Sequence, residues 1–307
     1  MKSNLKYLSH RSIDFNKWDL CVDKAFNSRI YANSWFLDRT AVEWDALVYG
    51  DYEYVMPLPV RRKLGIRYLY QPLYSQQLGI FPPPPSEVAV AYFEDLQQRF
   101  SYIDIQLNSS NLPVRDLKKV NFTGRKNFLL PVGAEYHSIE AAYSANTRRN
   151  LSKAGAGSLT YAEGIPLEAY LGFKQQNLPV KISKEGMQKL KSIIAYCQYK
   201  GIGEIEGVYS ANNNLCAAVF FCRWKERVIY MNAVSSEAGK ESRAMFFLID
   251  RFIQSVAGQD IAIDFEGSMI PGIARFFEGF GAVPEVYYQV KYNHLPAVLS
   301  WIKKITE

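Results

Sequence analysis

The chain has 307 residues, 48% of them apolar and 14% aromatic, with 21% charged and a formal charge of +6. That composition is ample for two ordinary folded domains and excludes a disordered chain, while so modest a charge excludes a dedicated DNA-binding surface. The three histidines (His10, His137, His294) lie far apart and the four cysteines show no CxxC spacing, so no metal site is expected. Neither a GxxxxGK[ST] loop nor a GxGxxG fingerprint occurs, which removes the main signals for nucleoside-triphosphate and dinucleotide chemistry. The first residues hold no apolar run of secretory type, and no stretch of about 18 apolar residues occurs anywhere. A cytoplasmic protein without a membrane span is the expectation.

In chain order, the pattern predicts helices over Asn16 to Phe26 and Ser34 to Ala41, then strands in "DALVYG", "EYVMPLPV" and "IRYLYQPLY". Four consecutive prolines, 82–85, interrupt the pattern. Ser86 is placed to cap a helix running to Phe100. "YIDIQLN" and "RKNFLLPV" read as strands. From Gly133 onward, "SIEAAYSANTRRNLSKAGAG" reads as one helix, followed by helices in "PLEAYLGFKQQN" and "SKEGMQKLKSIIAYCQYKG", the latter closed by Gly201. Strands "GEIEGVYS", "LCAAVFFCRW" and "RVIYMNAVS" form a meander, the last two joined by the Lys225–Glu226 hairpin. An apolar helix, "SRAMFFLIDRFIQSV", precedes the strand "DIAIDFEGS". Pro271 and Gly281 bracket a short helix whose apolar face (Ile273, Phe276, Phe277, Phe280) reads as core. The strand "EVYYQVKYN" and the helix "PAVLSWIKKI" end the pattern.

Each region thus runs through a strand meander, a helix, a strand, a helix or loop, and a last strand. This points to a mixed α/β (α+β) class with mainly antiparallel sheet. The order resembles the GNAT acyltransferase core, and more closely the FemAB/FemX-like transferases, which carry two GNAT-type domains in tandem. "IAIDFEGS" is similar to that family's D-F-G-G-like strand end, "FFEGFGA" to its F-K-x-x-F-G helix end, and "NTRRNLSKAGAGSLTY" to the basic helix that opens its second domain. The resemblance implies domains at 1–134 and 135–307, the second holding the acyl-donor site. Two departures stand out. Phe277 occupies the place of the family's lysine, which removes a cation useful for an anionic acceptor. The helix start after "EAGKES" also lacks the Q/R-x-x-G-x-G/A loop that cradles the pyrophosphate of acetyl-CoA.

The implied activity is transfer of an acetyl or other acyl group from an acyl-CoA to a small-molecule or sugar-linked amine. A tRNA-borne aminoacyl donor, or a non-catalytic binding protein on the same scaffold, are the alternatives. In an extended "IAIDFEGS", Asp264 and Glu266 share one face roughly 6.5–7 Å apart, so either carboxylate is placed to take the proton of an attacking amine. Tyr230 is the candidate acid for the departing thiolate. Asn232, Ala233 and Val234 lie where an acyl donor runs, with backbone amides to stabilise an oxyanion. Gly239, Lys240, Ser242 and Arg243 surround a helix start that suits a phosphate. Arg148, Arg149 and Lys153 make a basic helical face for an anionic substrate, and Phe277 is a candidate pocket wall.

Overall fold

The structure, a computed structural model, describes residues 4–114, 117–178, 182–267 and 269–295. The terminal helix expected over 296–305, and Ser268 at the end of the "DFEGS" stretch, lie outside them. The chain forms two compact units, one of residues 1–125 with 286–307, the other of residues 126–285.

The first unit opens with β1 (Leu5–Leu8), α1 (Phe15–Lys24) and α2 (Ser34–Thr40). Asp14 starts α1 by accepting the amides of Asn16 and Lys17 on its carboxylate. The meander β2 (Glu43–Tyr49), β3 (Tyr54–Lys63) and β4 (Ile66–Tyr70) follows, then α3 (Ser86–Arg99) and β5 (Tyr102–Gln106). Pro85, not Ser86, occupies the cap position of α3, and no side chain caps that end. The long strand β6 (Val120–Pro131) then leads out of the unit. Within the unit, β1 to β4 pair antiparallel in sequence and β4 pairs parallel with β5. The core includes Leu47, Leu58, Tyr92, Leu96 and Ile103, all buried.

The second unit begins with α4 (Tyr136–Ala141) and α5 (Ala145–Gly155). The sequence pattern predicts one helix here, but Ser144 interrupts it. Its hydroxyl caps α5 at the Thr147 amide, and its own N–H donates to the Gly279 carbonyl at 2.9 Å. Next come β7 (Thr160–Ala162), α6 (Leu167–Asn177) and α7 (Lys184–Tyr199), with Gly201 left-handed just beyond α7. The meander β8 (Gly203–Tyr209), β9 (Leu215–Trp224) and β10 (Arg227–Ser235) leads to α8 (Glu237–Glu241) and α9 (Ala244–Val256). The unit closes with β11 (Ala262–Asp264) and α10 (Pro271–Glu278), before β12 (Val283–Asn293) carries the chain back. Strands β7 to β10 pair antiparallel in sequence, and β10 pairs parallel with β11. Leu248, Ile249, Phe252 and Ile253 of α9 pack into the core beneath this sheet, with the Phe221 and Phe252 rings stacked at 3.7 Å.

The two units therefore share one pattern: four antiparallel strands, then a parallel fifth. The sixth strand is β12, from late in the chain, in the first unit, and the end of β6, the opening of its own stretch, in the second. Leu129–Pro131 of β6 pair with β11, and Gln289–Asn293 of β12 pair with β5. Both added pairings are antiparallel. Among the described residues, no helix is long and apolar enough to cross a membrane.

Candidate functional site

In the second unit, β10 and β11 stay paired only from Arg227↔Ala262 to Ile229↔Asp264. Beyond that point β10 continues to Ser235, while β11 ends and Phe265 donates its N–H to Phe128 of β6 instead. The two strands splay, and the edge of β10 from Tyr230 onward has no strand partner on that side among the described residues. A β-bulge falls at the same place, since Tyr230 faces Phe221 but Asn232 faces Phe220, leaving Met231 as the extra residue. A bulge at a splay re-aims successive side chains. Tyr230, Met231 and Asn232 all line a cavity of about 780 Å³ that opens there.

The first unit has the same parallel junction, but its own chain closes it. Past Leu69↔Ile103 and Tyr70↔Asp104, the Gln71 side chain accepts the Gln106 amide at 2.8 Å, and Leu78 donates to the Gln106 carbonyl at the end of β5 and bridges to Leu107 just beyond it. Three buried asparagines hold that loop. Asn27 and Asn111 donate to the Ile80 carbonyl, and Asn108 donates to that of Leu78.

Glu266 lines the cavity, but not as one of two carboxylates on a strand face. β11 ends at Asp264, and both Glu266 (φ 54°) and Gly267 (φ 62°) are left-handed, so the alternation that would align the pair is broken. Asp264, 3% exposed, is not among the lining residues. It accepts from the Arg227 guanidinium at 2.8 Å and from the Glu266 amide at 3.0 Å. The same guanidinium reaches Glu285 at 3.0 Å. Asp264 thus fixes the turn that presents Glu266. Gly267 is pressed against β6, where a Cβ would stand 2.1 Å from the Lys126 carbonyl oxygen.

Tyr230 sits against Phe265 and Phe277 at 5.8 Å from each, and its hydroxyl donates to the Met245 thioether at 3.5 Å. Burial raises its pKa, so the phenol stays protonated, resting on a weak acceptor. Phe277 lines the cavity yet is 4% exposed, its ring stacked on Phe265 at 4.6 Å. The position where the resembled family carries lysine is here part of the core. The expected all-core face of α10 divides accordingly: Phe277 and Phe280 are buried, while Ile273 and Phe276 open onto the cavity.

Ala233, Val234, Gly239, Lys240 and Arg243 also line the cavity. Gly239 owes its lack of a side chain to packing, because a Cβ there would lie 2.0 Å from the Cys216 carbonyl oxygen. Arg243 occupies the cap position of α9 in a left-handed conformation, with no side-chain cap bond. The first amides of α9 therefore start with the positive end of the helix dipole beside two cations. The Arg243 guanidinium donates to the Lys240 carbonyl at 2.7 Å, and the Lys240 ammonium pairs with Glu237 at 2.5 Å. Ser242 is not a lining residue, its hydroxyl donating to the Ala238 carbonyl. Arg148, Arg149 and Lys153 are exposed on α5 and lie outside the cavity wall, with Arg148 donating to the Ala141 carbonyl.

Sequence reading missed the contribution of α6. Its end supplies Asn177 and Leu178 to the wall, and its buried face grips β10. Tyr170 donates to the Asn232 side-chain oxygen at 2.7 Å, and Lys174, 3% exposed, reaches the Ala233 carbonyl at 3.4 Å. Burial lowers the Lys174 pKa to about 8. A lysine in a weakly amphipathic helix gives no signal of burial. Met245 and Phe246 were hidden in the same way, inside an apolar helix that reads only as core.

Comparison with solved structures gives the fold a precedent. FemX superposes with a TM-score of 0.64 at 10% identity, over 98% of this chain and 100% of FemX. This is the FemAB-like tandem GNAT fold. The same fold brings in the C-terminal domain of a putative lysylphosphatidylglycerol synthetase from Agrobacterium fabrum, at TM-score 0.56 and 8% identity over 95% of this chain and 96% of that domain. L-PGS from Bacillus licheniformis follows at 0.52 and 9%, over 86% and 88%. No protein-family model and no curated protein matches the chain. Within the tandem GNAT fold, the cavity lies at the parallel junction of the second unit.

Proposed function

We propose that the protein is an N-acyltransferase that takes an acyl group from an acyl-CoA thioester and passes it to an amine. The observation that carries this reading is the open splay of β10 from β11, with a strand edge unpaired among the described residues, and with two basic residues, Lys240 and Arg243, and one carboxylate, Glu266, lining a single cavity. Lys240, Arg243 and the first amides of α9 would hold the phosphates of the donor. The thioester would lie along β10, its carbonyl oxygen facing strand amides that have no other strand to serve. Glu266 would take a proton from the ammonium group, and the free amine would attack the carbonyl carbon. The C–S bond then breaks, the Tyr230 phenol is placed to protonate the leaving thiolate, and the nitrogen's second proton passes through solvent to restore the phenol. One amide and one free thiol result.

The test is thiol release from acetyl- and longer acyl-CoAs with a panel of amines. Glu266→Gln is expected to lower kcat by about a hundredfold or more. An unchanged rate would move the base elsewhere, and absence of both CoA binding and turnover would leave a non-catalytic binding protein. An aminoacyl-tRNA donor is the second reading, favoured by the FemX-like fold and the exposed basic face of α5. It calls for tRNA retention that weakens steeply with salt.

A further inference from the structure

We infer that the acyl group this site accepts is a medium- to long-chain fatty acyl group rather than acetyl; the inference rests on the acyl-transfer reading above. The walls of the cavity divide by chemistry. The cations Lys240 and Arg243 come from the junction of α8 and α9, whereas Ile273 and Phe276, with the edges of the buried rings Phe265 and Phe277, form an apolar wall beside Tyr230 and Glu266. That wall is built ring on ring. Phe246 meets Phe276 edge-on at 4.8 Å, and Phe265 stacks on Phe277. A charged head and an extended apolar wall within one cavity select a ligand that is itself divided in the same way. An acetyl group would leave most of the wall against water.

The apolar surface also continues outward. Ile273 lines the cavity and is 41% exposed, and Ile270 and Met269 just before it are 60% and 55% exposed. Three large apolar side chains within five residues are thus exposed at the start of α10, and Ile273, the one that lines the cavity, joins this track to it. Solvated apolar patches of this kind mark ligand grooves. A chain longer than the cavity would run along this track, its burial supplying the affinity. The absence of the lysine at Phe277 is of a piece with this, since a cation there would face the chain.

The experiment is calorimetric titration of the protein with CoA and with acetyl-, butanoyl-, octanoyl- and dodecanoyl-CoA, alongside free dodecanoate. Affinity is expected to rise by about fourfold per added methylene over the shorter members. Ile273→Asp, at a half-solvated position, is expected to cut the dodecanoyl-to-acetyl affinity ratio at least tenfold. CoA binding with a flat series, or tightest binding of acetyl-CoA, would overturn the inference and leave the transfer reading standing. Dodecanoate binding as tightly as dodecanoyl-CoA would also overturn it, because the charged head would then contribute nothing. Failure of CoA and every acyl-CoA to bind would remove both.

Discussion

Glu206 on β8 shows how single residues tune this fold. It is buried, its carboxylate accepts from the Tyr161 hydroxyl, and burial pushes its pKa up from 4.5 to about 7. The folded state therefore holds a proton that the unfolded chain releases near 4.5. The stability linked to this group is fully present below about 4.5 and is lost as the pH rises through about 7. Glu206→Gln keeps an oxygen acceptor for Tyr161 and cannot titrate. Denaturant unfolding measured across this range should show the unaltered protein losing more stability with rising pH than the variant does. A tenfold difference in proton affinity between folded and unfolded chains corresponds to about 1.4 kcal/mol, so the two proteins should diverge by a few kcal/mol at the top of the window. Equal slopes would mean that Glu206 ionises normally. Among single residues, sequence reading was at its weakest. Asp264 and Lys174 are buried and Arg227 half-buried, each against partners far away in the chain, and no local pattern announces it.

Among the elements, the turn after β11 decides the site. "DFEGS" reads as continuous strand because its alternation of apolar and acidic residues has period two. The strand stops at Asp264 because that carboxylate is drawn to Arg227 and the chain must pass hard against β6. Gly267→Ala adds a Cβ both to a left-handed residue and into the Lys126 carbonyl, so the turn has to lift and take Glu266 with it. A loss of about 2–3 kcal/mol or more is expected from strain of this kind, together with a fall in turnover. Gly258→Ala provides the contrast. Gly258 is also left-handed, at φ 81°, but nothing lies within 4 Å of its added Cβ, so a loss of about 1 kcal/mol is expected. Denaturation midpoints of the two variants distinguish the clash from the dihedral preference, and equal losses would mean that the turn is not clamped. β10 itself was legible from "RVIYMNAVS", but its bulge was not, because a bulge is a property of the pair and not of one strand.

For the molecule as a whole, the pairing of β12 with β5 makes the first unit depend on sequence far from its other strands, whereas the second unit is one continuous stretch. Val290 of β12 is buried in the core of the first unit with Ile103 and Leu96, although the whole of the second unit, residues 126–285, intervenes in the chain. Val290→Asp places a charge in that core, and a loss of several kcal/mol is expected. Hydrogen exchange should rise first in β4 and β5, with β9 and β10 retaining protection. Faster exchange in β9 and β10 instead would contradict the assignment of β12 to the first unit's core.

Local sequence was enough for most elements, their order and the mixed α/β class, though not for β1, β7 or the break at Ser144, and through "DFEG", "FFEGFG" and the basic helix it led to the FemAB-like tandem GNAT fold. Those properties rest on periodicity and on turn and cap residues, which act over a few neighbours. Which parallel junction is open, and which is filled by its own loop, emerged only from the folded chain. So did the choice of carboxylate that faces the cavity and the places where β6 and β12 pair. Each of these is set by strand register and by close approach between segments far apart in the chain, where a single carbonyl or guanidinium outweighs any local pattern.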